Sequence, residues 1–217
     1  MCGRYSLTHA ADDIAARFLV DVATFATMPP RVNISPTERL LAIRAGAGGG
    51  REACWLRWGL VPPWADAGAP RPINARAETA AARPMFREAL RARRVLLPAD
   101  GFYEWRRTGR QRQPVRFGLA QGGLFALAAI WERHGVEETT CILTTAANPL
   151  VAAVHARMPV ILRPEDEERW LEPGLTPTDA AAILVPFSSA GMLAVDVDGR
   201  LLRPERPAPP LLGGAGR

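Results

Sequence analysis

The residue with the most chemistry per atom is Cys2, in the opening Met1-Cys2-Gly3-Arg4-Tyr5. A small second residue is the expected substrate for removal of the leading methionine, so the mature chain is predicted to begin at Cys2. A terminal cysteine carries an amine and a thiol on adjacent carbons. The amine adds to an aldehyde and forms an imine, and the thiol then closes onto the imine carbon to give a thiazolidine. A free α-amino group has a pKa of ~8 and a free thiol ~8.5, so both are partly nucleophilic near neutrality. Lysine is the usual Schiff-base amine, but all 27 Lys+Arg residues of this chain are arginine. GC-rich coding accounts for the absence of lysine, since Ala, Gly and Pro are abundant too. The chemical consequence stands: the terminus is the only primary amine.

Three further segments place chemically capable side chains beside Gly, Pro or aromatics, in or next to loops, where function concentrates. They are Ile73-Asn74-Ala75-Arg76-Ala77-Glu78-Thr79, Asp100-Gly101-Phe102-Tyr103-Glu104-Trp105 and His155-Ala156-Arg157-Met158-Pro159. Taken singly they have ordinary readings. Asn74 reads equally as a turn or capping residue. Glu104 reads as a surface carboxylate on an edge strand, or, among its aromatics, as a carboxyl raised toward neutral pH that gives and takes protons. His155 reads as a core histidine or a helix-end cation. Trp64, in a Pro-rich loop, suits either a core or a stacking surface. His9 and His134 read as surface residues. Cys54 and Cys141 read as buried and inert. Three cysteines and three histidines without ligand spacing argue against zinc, and no cofactor is implied.

The elements that must position these residues read as α+β with a largely antiparallel sheet. Thr8 is predicted to cap a helix ending at Phe18, with Asp12 and Asp13 in its first turn. Residues 28–37, with three prolines, read as extended or looped. Residues 40–44 and 51–58 read as a hairpin across a Gly-rich turn. Residues 59–73 form a long Pro/Trp-rich loop, and 84–94 a helix with Pro at its start. Strands are expected at 95–98, 115–119, 124–131 and 139–145, and short helices at 164–171 and 177–184. From Arg203 onward Pro and Gly dominate, which predicts a flexible tail (203–217) after a single domain spanning 1–202.

At 217 residues the chain can bury a sizeable core. Its formal net charge of +5 suits a polyanionic partner. The sparse, odd cysteine count is no disulfide framework and fits a reducing compartment. No apolar run approaches the ~18 residues of a membrane span, and no secretory leader opens the chain. A cytoplasmic monomer without membrane attachment is expected.

Read together, the segments resemble the SRAP (SOS-response-associated peptidase) family, also called abasic site processing proteins. The resemblance rests on Cys2-Gly3-Arg4-Tyr5, Asn33-Ile34-Ser35-Pro36-Thr37, Trp58-Gly59-Leu60-Val61-Pro62 with Trp64, the Asn74 segment, Gly101-Phe102-Tyr103-Glu104-Trp105 and the His155 segment. It implies the SRAP fold, a single domain with a curved, barrel-like sheet and short flanking helices. It also implies a partner, single-stranded DNA containing an abasic site, held covalently through Cys2 as a thiazolidine. By the same resemblance Asn74 holds the Cys2 amine and the sugar, Glu104 shuttles protons and His155 assists at the opened sugar's hydroxyl. Arg4, Arg76 and Arg157 contact phosphates, Trp64 stacks on or wedges bases, and Asn33 and Pro36 shape the channel wall. A weak lyase activity follows if thiol closure fails. The competing readings are a thiol (auto)peptidase built on Cys2 and His155, and a non-catalytic module for single-stranded or modified DNA. The sequence departs from the family pattern after Pro186, and Arg83 falls at a displaced position.

Overall fold

The computed structural model describes residues 2–66 and 68–202. Met1, whose removal the Cys2 chemistry requires, and the tail from Arg203 onward lie outside the described residues.

In chain order the elements are β1 (Tyr5–Leu7), α1 (Ala11–Phe18), β2 (Arg31–Ile34), β3 (Arg39–Ala45), β4 (Arg51–Trp58), β5 (Asn74–Arg76), α2 (Ala77–Ala80), α3 (Pro84–Ala92), β6 (Arg94–Ala99), β7 (Gly101–Thr108), β8 (Gln111–Leu119), β9 (Phe125–His134), β10 (Glu137–Ala146), α4 (Pro149–Ala152), β11 (Arg157–Pro159), β12 (Ile161–Leu162), α5 (Pro164–Leu171), α6 (Pro177–Ile183) and β13 (Met192–Asp196). A 3-10 turn follows at Gly199–Leu202.

Five strands close on themselves. β3 pairs with β4 and β6, β6 with β9, β9 with β10, and β10 returns to β4. The last contact, between β4 and β10, is parallel; the other four are antiparallel. Closure removes the exposed sheet edges that invite association. The strands that build this barrel are rich in β-branched and aliphatic residues, and Leu40, Ile43, Leu56, Leu96, Leu127 and Ile142 are all fully buried. A second, five-stranded sheet runs β13-β8-β7-β1-β2. This α+β architecture is the barrel-like one expected from the sequence.

Local sequence explains the helices. α1 buries Ile14 and Phe18, four residues apart on one face, with Asp12 and Asp13 in its first turn and Arg17 in its last. α3 begins with Pro84 and buries Phe86, Ala89 and Leu90. Thr8 does not cap α1. Its hydroxyl instead donates to the buried Asp100 carboxylate at 2.8 Å, and the N-cap position, Ala10, carries no side-chain bond. The buried anion outcompetes the helix end because a charge-assisted hydrogen bond is the stronger one.

Candidate active site

Both sheets deliver residues to one place. β1 pairs with β7 through Tyr5 and Phe102, which brings the chain's first residues beside the strand that carries Glu104. β5 joins the barrel through a parallel pairing with β10, which sets Asn74 opposite Ile142. β11 pairs with the end of β10, Ala146 opposite Arg157, and so fixes the loop that carries His155 just after α4.

Cys2 is fully buried. Its carbonyl accepts a hydrogen bond from Asn74 Nδ2 at 2.9 Å. Burial pushes its thiol well above the ordinary range, and the negative charge of Glu104 adds to that. Glu104 is only 4% exposed, which excludes its reading as a surface carboxylate. Burial pushes its carboxyl above the usual glutamate range, against the pull of His155. His155 Nδ1 lies 3.9 Å from Glu104 Oε1 and 3.0 Å from both the amide nitrogen and the carbonyl oxygen of Arg157. A neutral ring with its proton on Nε2 accepts from that amide, and an imidazolium donates to that carbonyl. The ring therefore has a partner in each protonation state without moving, which suits a proton carrier. Asn74 Oδ1 is buried and has no hydrogen-bond partner among the described residues. An acceptor held empty in this way is matched to a donor brought by a ligand.

The arginines differ in what holds them. Arg157 forms a two-pronged ion pair with Glu78, at 2.6 and 2.8 Å, and also donates to the Thr144 carbonyl. Glu78 stood in the quoted segment but drew no role from sequence; its pairing with Arg157 across 79 residues is visible only once β5 and β11 flank β10. Arg76 is exposed and makes no ion pair among the described residues. Arg4 directs Nη1 at Asn33 Oδ1 (2.6 Å) and at the Leu202 carbonyl (2.9 Å), which leaves the Nε–Nη2 edge for a ligand.

Trp64 is 63% exposed, which excludes the core reading. It lines a groove of about 760 Å³ together with Pro72, Asn74, Arg76, Arg83 and Phe86. Arg83, displaced in sequence, thus still faces this groove. Pro36 is half-buried and precedes Thr37, whose φ of 75° is an outlier for a β-branched residue. A bond from the Thr37 amide to the Trp58 carbonyl, at 2.9 Å, fixes that corner.

Behind these residues stands a buried anion to which sequence reasoning gave no role. Asp100 accepts from Ser6 Oγ (2.6 Å), Thr8 Oγ1 (2.8 Å), the Thr8 amide and Arg116 Nη2 (3.0 Å), and it faces His9 Nδ1 at 3.3 Å. It locks β1 to the start of β7. Gly101 leaves room for this arrangement: a Cβ there would come within 2.5 Å of the Arg116 guanidinium and push it from its place on Asp100. The signal was available: an Asp-Gly step opens the segment that ends in Glu104. His9 is therefore a partner of Asp100 and no free surface residue, and His134 likewise contacts the Pro62 carbonyl, at 3.2 Å. Cys141 is buried; Cys54 is half-buried, with its thiol pushed up to about 11 by burial. Among the described residues no cluster of three or more Cys, His, Asp or Glu could hold a metal, and no helix is long and apolar enough to cross a membrane.

A cysteine at position 2 held by an asparagine, beside a buried carboxyl and a histidine, on a barrel flanked by a second sheet, defines a class. Residues 1–203 match the family profile of SOS response associated peptidase (SRAP), and the chain belongs to that family. The abasic site processing protein YoqW of Bacillus subtilis (strain 168) is 37% identical over 222 residues, covering 98% of this chain and 99% of that protein. The abasic site processing protein YedK of Escherichia coli (strain K12) is 31% identical, with 84% and 85% covered. A crystal structure of a protein from Bacteroides thetaiotaomicron superposes with a TM-score of 0.84 at 28% identity, covering 91% of this chain and 92% of that one.

Proposed function

We propose that this protein processes abasic sites in DNA by linking itself to the opened sugar through Cys2. The observation that carries the reading is the convergence of Asn74, Glu104 and His155, from distant parts of the chain, around the buried Cys2. Family membership and the names of its relatives support the same substrate.

The residues divide the work as follows. An abasic deoxyribose is mostly a closed hemiacetal. His155 assists transfer of a proton to the ring oxygen while Glu104 removes one from the anomeric hydroxyl, which frees the aldehyde. The Cys2 amine adds to the carbonyl carbon. Glu104 returns the proton it took from the anomeric hydroxyl to the departing hydroxyl, and water leaves with formation of the iminium. The Cys2 sulfur then bonds to the iminium carbon and its proton returns to the Glu104 carboxylate. The product is a thiazolidine plus one water. An aligned proton donor is typically worth ~10²–10⁴-fold. Ring closure also removes the electron sink through which β-elimination breaks the strand, so the lyase reaction is the leak in this scheme. Asn74 holds the Cys2 carbonyl and with it the amine.

The test is a denaturing gel of the protein, its terminal Cys2 verified by mass spectrometry, mixed with single-stranded DNA carrying one abasic site. A heat-stable shifted band is expected. Cys2→Ser should leave only an imine that borohydride can trap. No stable band from the verified protein refutes the cross-link.

A further inference from the structure

The strand that carries Glu104 does not end at the site. β7 runs on through Trp105-Arg106-Arg107-Thr108, turns at Gly109-Arg110, and returns as β8 through Gln111-Arg112-Gln113. Register holds to the tip, where Thr108 faces Gln111 across a two-residue turn with Gly109 at φ 62°. The outer part of the hairpin, residues 105–113, carries four arginines and no acidic residue. Arg106 pairs with Asp196 at 3.0 Å. Arg107, Arg110 and Arg112 are exposed and make no ion pair among the described residues. Arg107 and Arg112 stand directly opposite each other. Like charges in that position destabilise a sheet, so the free protein carries an unfavourable pair that nothing in the fold explains.

The placement is directional. The Tyr103 amide bonds the Arg4 carbonyl at 3.0 Å, continuing the register in which Tyr5 faces Phe102. Because side chains alternate along a strand and opposed residues share a face, Arg4, Tyr103, Trp105 and Arg107 lie on one face, as do Pro114 and Arg112 of β8. From Tyr103 to Arg107 is four residues, roughly 14 Å at ~3.4 Å each. That is about four steps of a stacked strand at ~3.4 Å per nucleotide. Guanidinium forks fit phosphate oxygens, and the tip offers polar Thr and Gln beside them rather than aliphatic surface.

We propose that the β7–β8 hairpin is a rigid basic arm that grips the DNA backbone a few nucleotides beyond the abasic sugar, on the flank to which Arg4 belongs. This inference rests on the reading that the site takes DNA. A phosphate set between Arg107 and Arg112 removes their repulsion, so the arm is poised for a polyanion before it meets one.

The test combines Arg107→Gln, Arg110→Gln and Arg112→Gln and measures affinity for single strands with a central tetrahydrofuran abasic analogue, of about 5, 11 and 21 nucleotides, against salt. The wild type should gain affinity with length. The triple variant should match it on the shortest strand, lose about tenfold on the longest at low salt, and show a salt slope shallower by about 2, at ~0.7 per single-strand phosphate contact. Strands extended only 5′ or only 3′ assign the flank. A lysine triple at the same positions should keep the slope. Its melting temperature should not exceed that of the wild type, whereas the glutamine triple, freed of the Arg107–Arg112 repulsion, should melt no lower. An unchanged slope and length dependence in the glutamine triple overturns the arm. An equal loss from Arg163→Gln, just before α5, with Arg169→Gln on it also overturns it, by reducing the effect to net charge. Absence of a covalent product with true abasic DNA fails the cross-linking reading alone, since these affinities use an unreactive analogue.

Discussion

Replacing Asp100 by asparagine tests the claim that a buried anion, rather than strand pairing alone, ties β1 to β7. That seam is short: Tyr5 and Ser6 pair with Phe102 and Gly101, and the Tyr103 amide bonds the Arg4 carbonyl. Asp100 is 5% exposed; one of its oxygens takes Ser6 Oγ and Arg116 Nη2, and the other takes the amide and hydroxyl of Thr8. An asparagine has the same shape but only one acceptor oxygen, and its amide hydrogens then face donors. At least two charge-assisted bonds are lost whichever way the amide is turned. At ~1.5–3 kcal/mol each, the loss is about 3–6 kcal/mol, with Arg116 keeping its bond to the residue-100 carbonyl. At roughly 2–4 °C per kcal/mol for a chain of this length, melting should fall by on the order of 10 °C. The pH dependence sharpens the test. Burial pushes the Asp100 carboxyl up, but hydrogen bonds from Ser6, Thr8 and His9 outweigh it and hold the pKa below the usual range. Its contribution is therefore complete above the unfolded value of about 4 and is lost as pH falls through the depressed folded value. Melting of both proteins followed by circular dichroism should show the full gap at neutral pH and a shrinking one in strong acid. A gap under about 2 °C at neutral pH, or one that persists undiminished in strong acid, refutes the reasoning.

Two other substitutions separate function from stability. Glu104→Gln should slow cross-linking by ~10²–10⁴-fold and yet raise the melting point at pH 8 by about 2–4 °C. Burial raises the Glu104 pKa, so the cost of ionising it appears only as pH climbs through that value, and the two proteins should melt alike below the ordinary glutamate range; a variant that melts lower at pH 8 contradicts this. Trp64→Ala should barely move the melting point, the side chain being exposed, but should weaken binding of single-stranded DNA by ~1–3 kcal/mol; a large thermal loss with intact affinity would reinstate the core reading.

Periodicity and turn chemistry carry the barrel. The β3–β4 hairpin, β6, β9, β10, α3 and α5 all lie where alternation, Gly-rich turns and N-terminal prolines place them, to within a few residues. The short strands β1, β5, β11, β12 and β13 are not legible, because two to five residues hold no period and their pairing comes from partners far along the chain. β7 reads from sequence only as an edge strand around Glu104: the glutamate breaks the apolar pattern, and burying it makes sense only beside His155, which arrives 51 residues later. Thr8 misled because a capping residue was judged against its own helix and not against an acid 92 residues away. Cys2, Asn74, Glu104 and His155 were recognisable as residue types in a family pattern. The Asp100 clamp, the Arg157–Glu78 pair and the Leu202 carbonyl on Arg4 arise from contacts at long sequence separation and have no local signature.

That last contact has a consequence for synthesis. The residues named for the chemistry are spread from position 2 to position 155, and the arginine beside the first of them is tied down by the carbonyl of residue 202. Almost no local contact supports β1, which waits for β7 before its second neighbour exists. On a ribosome Cys2 therefore emerges before Asn74, Glu104 and His155, the residues that gather around it. Loop closure of this reach is slow, so the nascent chain passes through a long interval in which Cys2 is solvent-exposed without Arg4 in place. Any capture of aldehydes in that interval is unselective. Without the Gly199–Leu202 turn, Arg4 should keep only its bond to Asn33 and be held less firmly beside Cys2.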